Sequence, residues 1–256
     1  MAGSDSGGGA GLQADVKTVT ALGGYAMTAV TALTAQNTLG VFGIHAVPPE
    51  FIAQQMEVVL SDLGADVIKT GMLHSEAVMR AVLRALDVHA PRVPLVVDPV
   101  MFAKGGAALL EPSAQRALDP LLRRALLVTP NVPEAEALTG LRVDSVEGLR
   151  AAARVLVERG AENALVKGGH LAGPRVVDVL RTHAGEELLY ESARIETRHS
   201  HGTGCTLASA IATGLAQGLA LGHAVERARL YLQEALRTAP GLGGGHGPLN
   251  HGHTVR

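Results

Sequence analysis

Short apolar runs rich in β-branched residues recur at positions 27–33, 67–69, 95–97, 126–128, 164–166 and 176–180, each bounded by turn formers, and they predict strands. Around them apolar residues return every three or four positions over 12–22, 49–60, 76–86, 113–122, 146–158, 206–219 and 224–236. That is the period of a helix with one buried face. Strands this continuously apolar are covered on both sides, and helical crossovers join parallel neighbours. The pattern predicts an α/β fold with a mostly parallel central sheet flanked by helices on both faces, a single domain over 1–256. Ligands of such sheets bind beyond the carboxyl ends of the strands, so the chemistry is expected in loops that follow strands.

Composition narrows the partners. The chain is 47% hydrophobic, enough for a large core, and its net charge of -2 gives no field to recruit nucleic acid or anionic membrane. A small molecule is the expected ligand. The stretch 18–44 carries no charge, but its six threonines, its glycines, Gln36 and Asn37 fit a buried helix and strand better than a membrane span. A single cysteine, Cys205, excludes an internal disulfide, and with no leader of the secretory type the protein is expected in the cytoplasm. The Gly/His-rich stretch 241–256 reads as a solvated tail. At the other end, the glycine-rich run from Gly3 to Gly11 leads into a helix, although loops of this kind follow a strand. That strand is either absent or reduced to Met1-Ala2, and its absence predicts poor stability.

The Walker A, dinucleotide-binding, nucleophile-elbow and zinc-protease signatures are all missing. What remains is a set of small-residue turns and charges at predicted strand ends. Gly202-Thr203-Gly204-Cys205 opens an apolar helix, so its backbone N–H groups form an anion hole at the positive helix end. Cys205 is then either a base for an attacking hydroxyl or an inert buried thiol. Asn131 and Glu134, after a strand, suit Mg²⁺ held through water or a helix cap, and Asp98 ends a strand as a metal-organising carboxylate or a turn former. Only four of the 22 basic residues are lysines: Lys17, Lys69, Lys104 and Lys167. A compact ammonium suits phosphate, and Lys167-Gly168-Gly169-His170 places one at a strand end. Lys104-Gly105-Gly106 offers another in a longer loop that reads as a phosphate cover or as ordinary surface. Asp15 on the first helix and Gln36 after the second apolar run suit a nitrogen heterocycle, or else a solvated helix face and a turn.

In this order, Ala2-Gly3-Ser4-Asp5-Ser6-Gly7-Gly8-Gly9-Ala10-Gly11, Thr34-Ala35-Gln36-Asn37, Asp98-Pro99-Val100-Met101, Thr129-Pro130-Asn131, Lys167-Gly168-Gly169-His170 and His201-Gly202-Thr203-Gly204-Cys205 resemble hydroxymethylpyrimidine/phosphomethylpyrimidine kinases of thiamine biosynthesis. The resemblance implies a ribokinase-like fold, a homodimer, and two successive ATP-dependent phosphorylations of 4-amino-5-hydroxymethyl-2-methylpyrimidine, first to the monophosphate and then to the diphosphate. It implies further that Gly3, Asp15, Gln36, Met72 and Val100 surround the pyrimidine, with Cys205 beside the acceptor oxygen. Asn131 and Lys167 would serve ATP, Gly202, Thr203 and Gly204 the anion hole, and Asp98 and Glu134 the Mg²⁺ region. His199-Ser200 and Lys104-Gly105-Gly106 depart from the family's usual Asn-Thr and Lys-Ser-Gly. Pyridoxine or pyridoxal phosphorylation is the nearest alternative, and a non-catalytic ligand sensor is a more distant one.

Overall fold

The computed structural model describes residues 1–102, 106, 109–110, 114 and 117–255. Lys104 and Gly105, with their expected role over the phosphates, lie outside the described residues. The chain runs through α1 (Gly11–Ala21), β1 (Ala32–Asn37), β2 (Gly40–Ala46), α2 (Pro49–Asp62), β3 (Ile68–Thr70), α3 (Glu76–His89), β4 (Leu95–Val97) and α4 (Leu118–Arg124). It continues through β5 (Leu127–Val128), α5 (Val132–Thr139), α6 (Val146–Glu158), β6 (Asn163–Lys167), β7 (Arg175–Thr182), β8 (Glu187–Ala193), α7 (Thr203–Ala216) and α8 (Leu221–Arg237).

The central sheet has the order β3-β4-β5-β6-β7-β8. Its first four strands are mutually parallel, β7 runs antiparallel to β6, and β8 runs antiparallel to β7. The period of two in the strands divides the core. Leu95, Val97, Ala164 and Val166 face one layer with Val82, Leu86, Leu121, Leu149 and Leu156, drawn from α3, α4 and α6. Their neighbours Val96, Leu127, Leu165 and Leu180 face the other, against Leu207 and Ile211 of α7 and Val225 and Tyr231 of α8. Helices therefore cover both faces, as the periodicity predicts. Local chemistry starts several of them: Ser75 and Ser145 accept the Val78 and Gly148 N–H groups at the heads of α3 and α6, and Asn131 with Glu134 forms a capping box on α5.

Two expectations need correction, and two strands carry no signal in the sequence. The strand foreseen over 27–33 begins only at Ala32, where the β1–β2 hairpin supplies partners. Strand β2 was not foreseen, because both its faces are largely exposed, Phe42 at 71%, and no alternation marks it. Edge strand β8 escaped notice for the same reason. The Gly/His-rich stretch is not a solvated tail over its whole length: Leu249 and His251 are buried, the Tyr231 hydroxyl donates to the His251 carbonyl at 2.6 Å, and Thr206 Oγ1 meets His251 Nε2 at 2.9 Å.

At the amino end, Ala2 bridges Val30 in parallel, and the Met1 ammonium donates to the Lys69 carbonyl at 2.7 Å. Met1-Ala2 thus lies in the sheet beside β3 and delivers the glycine-rich loop to the same end as the carboxyl termini of β4, β5 and β6.

Candidate active site

The site grows from the head of α7. Gly202 stands at φ +85, and a Cβ there would lie 1.9 Å from the Gly9 carbonyl oxygen, so only glycine allows this turn to press against the amino-terminal loop. The helix starts with Thr206 N–H donating to the Gly202 carbonyl. The N–H groups of Thr203, Gly204 and Cys205 before it have no acceptor within the helix, which is the arrangement an anion hole requires.

Gly204 fixes what faces this hole. A Cβ on it would come within 3.2 Å of Lys167 Nζ and 3.5 Å of Asp98 Oδ2, so the missing side chain is what admits both charges. Lys167, the last residue of β6, donates to Asp98 Oδ1 at 3.0 Å. Thr129 Oγ1, at the end of β5, donates to the same oxygen at 3.1 Å. Three adjacent parallel strands therefore end in one cluster, and the Asn131–Glu134 capping box closes its far side, Glu134 Oε2 accepting the Asn131 N–H at 2.9 Å.

Burial pushes the Glu134 carboxyl up to about 7; Lys167 opposes this and Asp98 adds to it. For Lys167, burial favours loss of the proton, but Asp98 and Glu134 outweigh it and keep the ammonium charged. Burial raises the Cys205 thiol to about 11 against the pull of Lys69 and of the Gly11 N–H, so the resting group is a thiol. The reading of Cys205 as a ready base therefore changes. It can take a proton only as a thiolate, which needs positive charge beside it from Lys69 or a bound cation, or it serves by shape alone.

A cavity of about 340 Å³ opens beside Lys167, Asn131, Thr203 and Gly204 and runs between Val176, Ile195 and Leu232. Its floor holds an ion pair absent from the sequence reading: Asp178 accepts the Gly168 N–H at 2.8 Å and pairs with Arg229.

The residues expected around the heterocycle divide. Gly3 and Met72 meet, since a Cβ on Gly3 would lie 3.1 Å from Met72 Sδ, and Met72 packs with Ala32, Leu109 and Val100. Gln36 approaches from β1, its Nε2 3.3 Å from His201 Nε2. His201 in turn holds Asp5 at 2.8 Å. Burial would raise the Asp5 carboxyl, but the His201 ring and the N–H groups of Ala10 and Gly7 overcome this and hold it below the usual carboxylate value. Asp15 is buried, accepting from Lys69 at 2.8 Å and Ser209 at 2.7 Å, close enough to Cys205 to oppose its ionisation, and it also borders a second cavity of about 520 Å³. Asp5, Lys69, Thr129, Asp178, His201 and Arg229 carry much of the architecture without having been singled out as site residues. Asp5, Thr129 and His201 carried a signal as parts of turn motifs and Lys69 as one of four lysines, whereas Asp178 and Arg229 carried none.

Among the described residues no helix is long and apolar enough to cross a membrane. Nor does any group of three or more His, Cys, Asp or Glu gather as a metal cage.

An anion hole at a helix head, a lysine and a carboxylate against it, and an adjoining elongated cavity on an α/β sheet define a phosphotransferase acting on a small molecule. Comparison with known proteins gives the particular family. The phosphomethylpyrimidine kinase family model matches residues 5–250, and the chain belongs to that family. It is 54% identical over 252 residues to the thiamine biosynthesis bifunctional protein of Geobacter sulfurreducens, covering 98% of this chain and 51% of that protein, so it spans about half of that relative's length. A solved phosphomethylpyrimidine kinase from Clostridium difficile matches with a TM-score of 0.80 at 39% identity, over 91% of this chain and 96% of that one. Pyridoxal kinase from Staphylococcus aureus in complex with ADP superposes with a TM-score of 0.91 at 33% identity, over 100% of this chain and 93% of that one. The fold is thus ribokinase-like, and the chain is a kinase of the phosphomethylpyrimidine kinase family.

Proposed function

We propose that the protein transfers the γ-phosphoryl group of ATP to 4-amino-5-hydroxymethyl-2-methylpyrimidine and then to the resulting monophosphate, in thiamine biosynthesis. The observation that carries this reading is the convergence of Lys167 and Asp98 on Gly204 at the head of α7, in a chain matched to this family over residues 5–250. ATP lies in the cavity beside Asn131 and Lys167, its transferring phosphoryl group at the N–H groups of 203–205. Lys167 and the anion hole stabilise charge on that group as it moves, with Cys205 next to the acceptor oxygen.

Gly3, Gln36, Met72 and Val100 enclose the pyrimidine, while Asp15 acts at one remove by fixing Lys69, whose charge faces Cys205. Asp98 and Glu134 fit Mg²⁺: two buried carboxylates, one with its pKa raised to about 7, suit a cation shared with phosphate oxygens and water better than an all-protein cage. When bound, the ion neutralises phosphate charge. The protein works in the cytoplasm as a homodimer.

The high structural similarity to pyridoxal kinase favours pyridoxal as the second candidate substrate. ADP release by the purified protein with hydroxymethylpyrimidine, with its monophosphate and with pyridoxal separates the two. Turnover of both pyrimidines is expected; turnover of pyridoxal alone overturns the assignment.

A further inference from the structure

Among the described residues, His74 is the only non-glycine residue with positive φ, at φ 60. A left-handed backbone on a residue with a full side chain is strained and persists only where its surroundings over-determine it. The surroundings here are specific. His74 follows Met72 and Leu73 directly and precedes Ser75, the cap of α3. The Met72 carbonyl is held by the Thr31 hydroxyl at 2.6 Å, so the chain on the amino side of His74 is pinned. On the carboxyl side Ser75 N–H returns to the Leu73 carbonyl at 2.7 Å. Between these anchors the left-handed turn aims the imidazole at the loop after β4, where Nδ1 lies 3.1 Å from the Leu109 carbonyl oxygen. A carbonyl only accepts, so Nδ1 carries the hydrogen.

Leu109 is otherwise attached by its N–H to the Met101 carbonyl at 2.8 Å, and its side chain is buried against Ala32 and Met72, with Val41 and Val100 around them. Met72 and Val100 are two of the residues placed at the pyrimidine, and Met72 Sδ reaches Gly3, a third. The strained histidine therefore fastens, to the loop after β3, a residue of the β4–α4 loop that joins Val100 in an apolar wall at the acceptor site.

We propose that Leu109 is a specificity-determining residue that forms the apolar face met by the acceptor ring, and that His74 is the positioning residue holding it there. This rests on the proposed function for the identity of the ring. Leu109 gives the aminopyrimidine a flat, dry surface on one side; His74 acts only through the Leu109 carbonyl and touches neither ATP nor the transferring group. Strain is retained at position 74 because the left-handed turn is what brings Nδ1 to the carbonyl. Glycine would adopt the same backbone without strain but lose the hydrogen bond. Asparagine tolerates the conformation, and its Nδ2 falls where the imidazole Nδ1 stands.

The test is steady-state kinetics with ATP and hydroxymethylpyrimidine on the parent, His74→Gly, His74→Asn and Leu109→Ala, with a melting temperature for each. For His74→Gly we expect KM for the pyrimidine to rise about five- to tenfold, KM for ATP to stay within about twofold, and the melting temperature to hold or increase. Leu109→Ala should raise the same KM by about tenfold. His74→Asn should restore the parent value within about twofold. An unchanged pyrimidine KM in both His74→Gly and Leu109→Ala overturns the proposal, as does a parallel rise in both KM values or an asparagine variant as impaired as the glycine one. If the parent turns over pyridoxal instead of the pyrimidine, the proposed function fails while the same kinetics, read on pyridoxal, still decide the role of His74. Turnover of neither overturns both.

Discussion

Glu134→Gln is expected to make the protein more stable at alkaline pH while disabling the enzyme. In the folded state burial lifts this carboxyl from 4.5 to about 7. The unfolded chain therefore releases the proton at lower pH than the folded one, and stability falls as pH rises from 4.5 towards 7. At about 1.4 kcal/mol per pH unit, the loss is about 1 kcal/mol by pH 5.5 and about 3 kcal/mol by pH 8. Glutamine does not titrate and keeps the reciprocal cap, since its amide oxygen accepts the Asn131 N–H as the carboxylate does. Lys167 retains Asp98 as its partner. The stability gap in favour of the variant should then widen by about 2 kcal/mol between pH 5.5 and 8, or about 4–8 °C in melting temperature for a chain of this size. Thermal melts at the two pH values read this directly, and kcat at saturating ATP and Mg²⁺ should drop at least tenfold, by analogy with loss of a metal-organising carboxylate. An equal gap at both pH values, or a variant less stable than its parent at pH 8, refutes the electrostatic account of the site.

Three further outcomes follow from the same geometry. With a thiol raised to about 11, Cys205 should be alkylated by iodoacetamide at a rate that climbs about tenfold per pH unit from 8 to 10, followed by mass spectrometry; a plateau near pH 9 would show an ordinary thiol. Lys167→Arg keeps the charge, but a longer planar fork does not fit beside Gly204, so kcat should fall about a hundredfold with the fold intact, and wild-type turnover would remove Lys167 from the phosphoryl site. Gly202→Ala places a methyl 1.9 Å from the Gly9 oxygen on a backbone at φ +85 and should cost about 3 kcal/mol or more in a denaturant melt, together with activity; a loss below about 1 kcal/mol would mean the two loops are not locked together.

The sequence by itself determined the layered fold and the glycine turn at the head of α7. The continuously apolar run at Leu95–Val97 and the 3.6-residue period at α3, α6 and α8 are local consequences of burial, so Val82, Leu149 and Val225 could be placed before any partner was known. Gly202 and Gly204 were legible for the same kind of reason, because a glycine turn opening an apolar helix has few other uses. Strands whose burial depends on a neighbour were not legible: β2 is exposed on both faces, and β1 begins only where its hairpin partner ends, Ala32 opposite Ala46.

The partnerships were decided by tertiary structure alone. Asp15 reads from sequence as a ligand contact or a solvated face, yet it is sealed against Lys69 and Ser209, 54 and 194 positions away. His251 reads as part of a loose tail until Thr206 and Tyr231 are seen to hold it. The physical reason is the same in each case. A buried charge or imidazole is tolerated only where a complementary group waits, and such groups are brought together by the packing of helices on the sheet, at sequence separations no local pattern records.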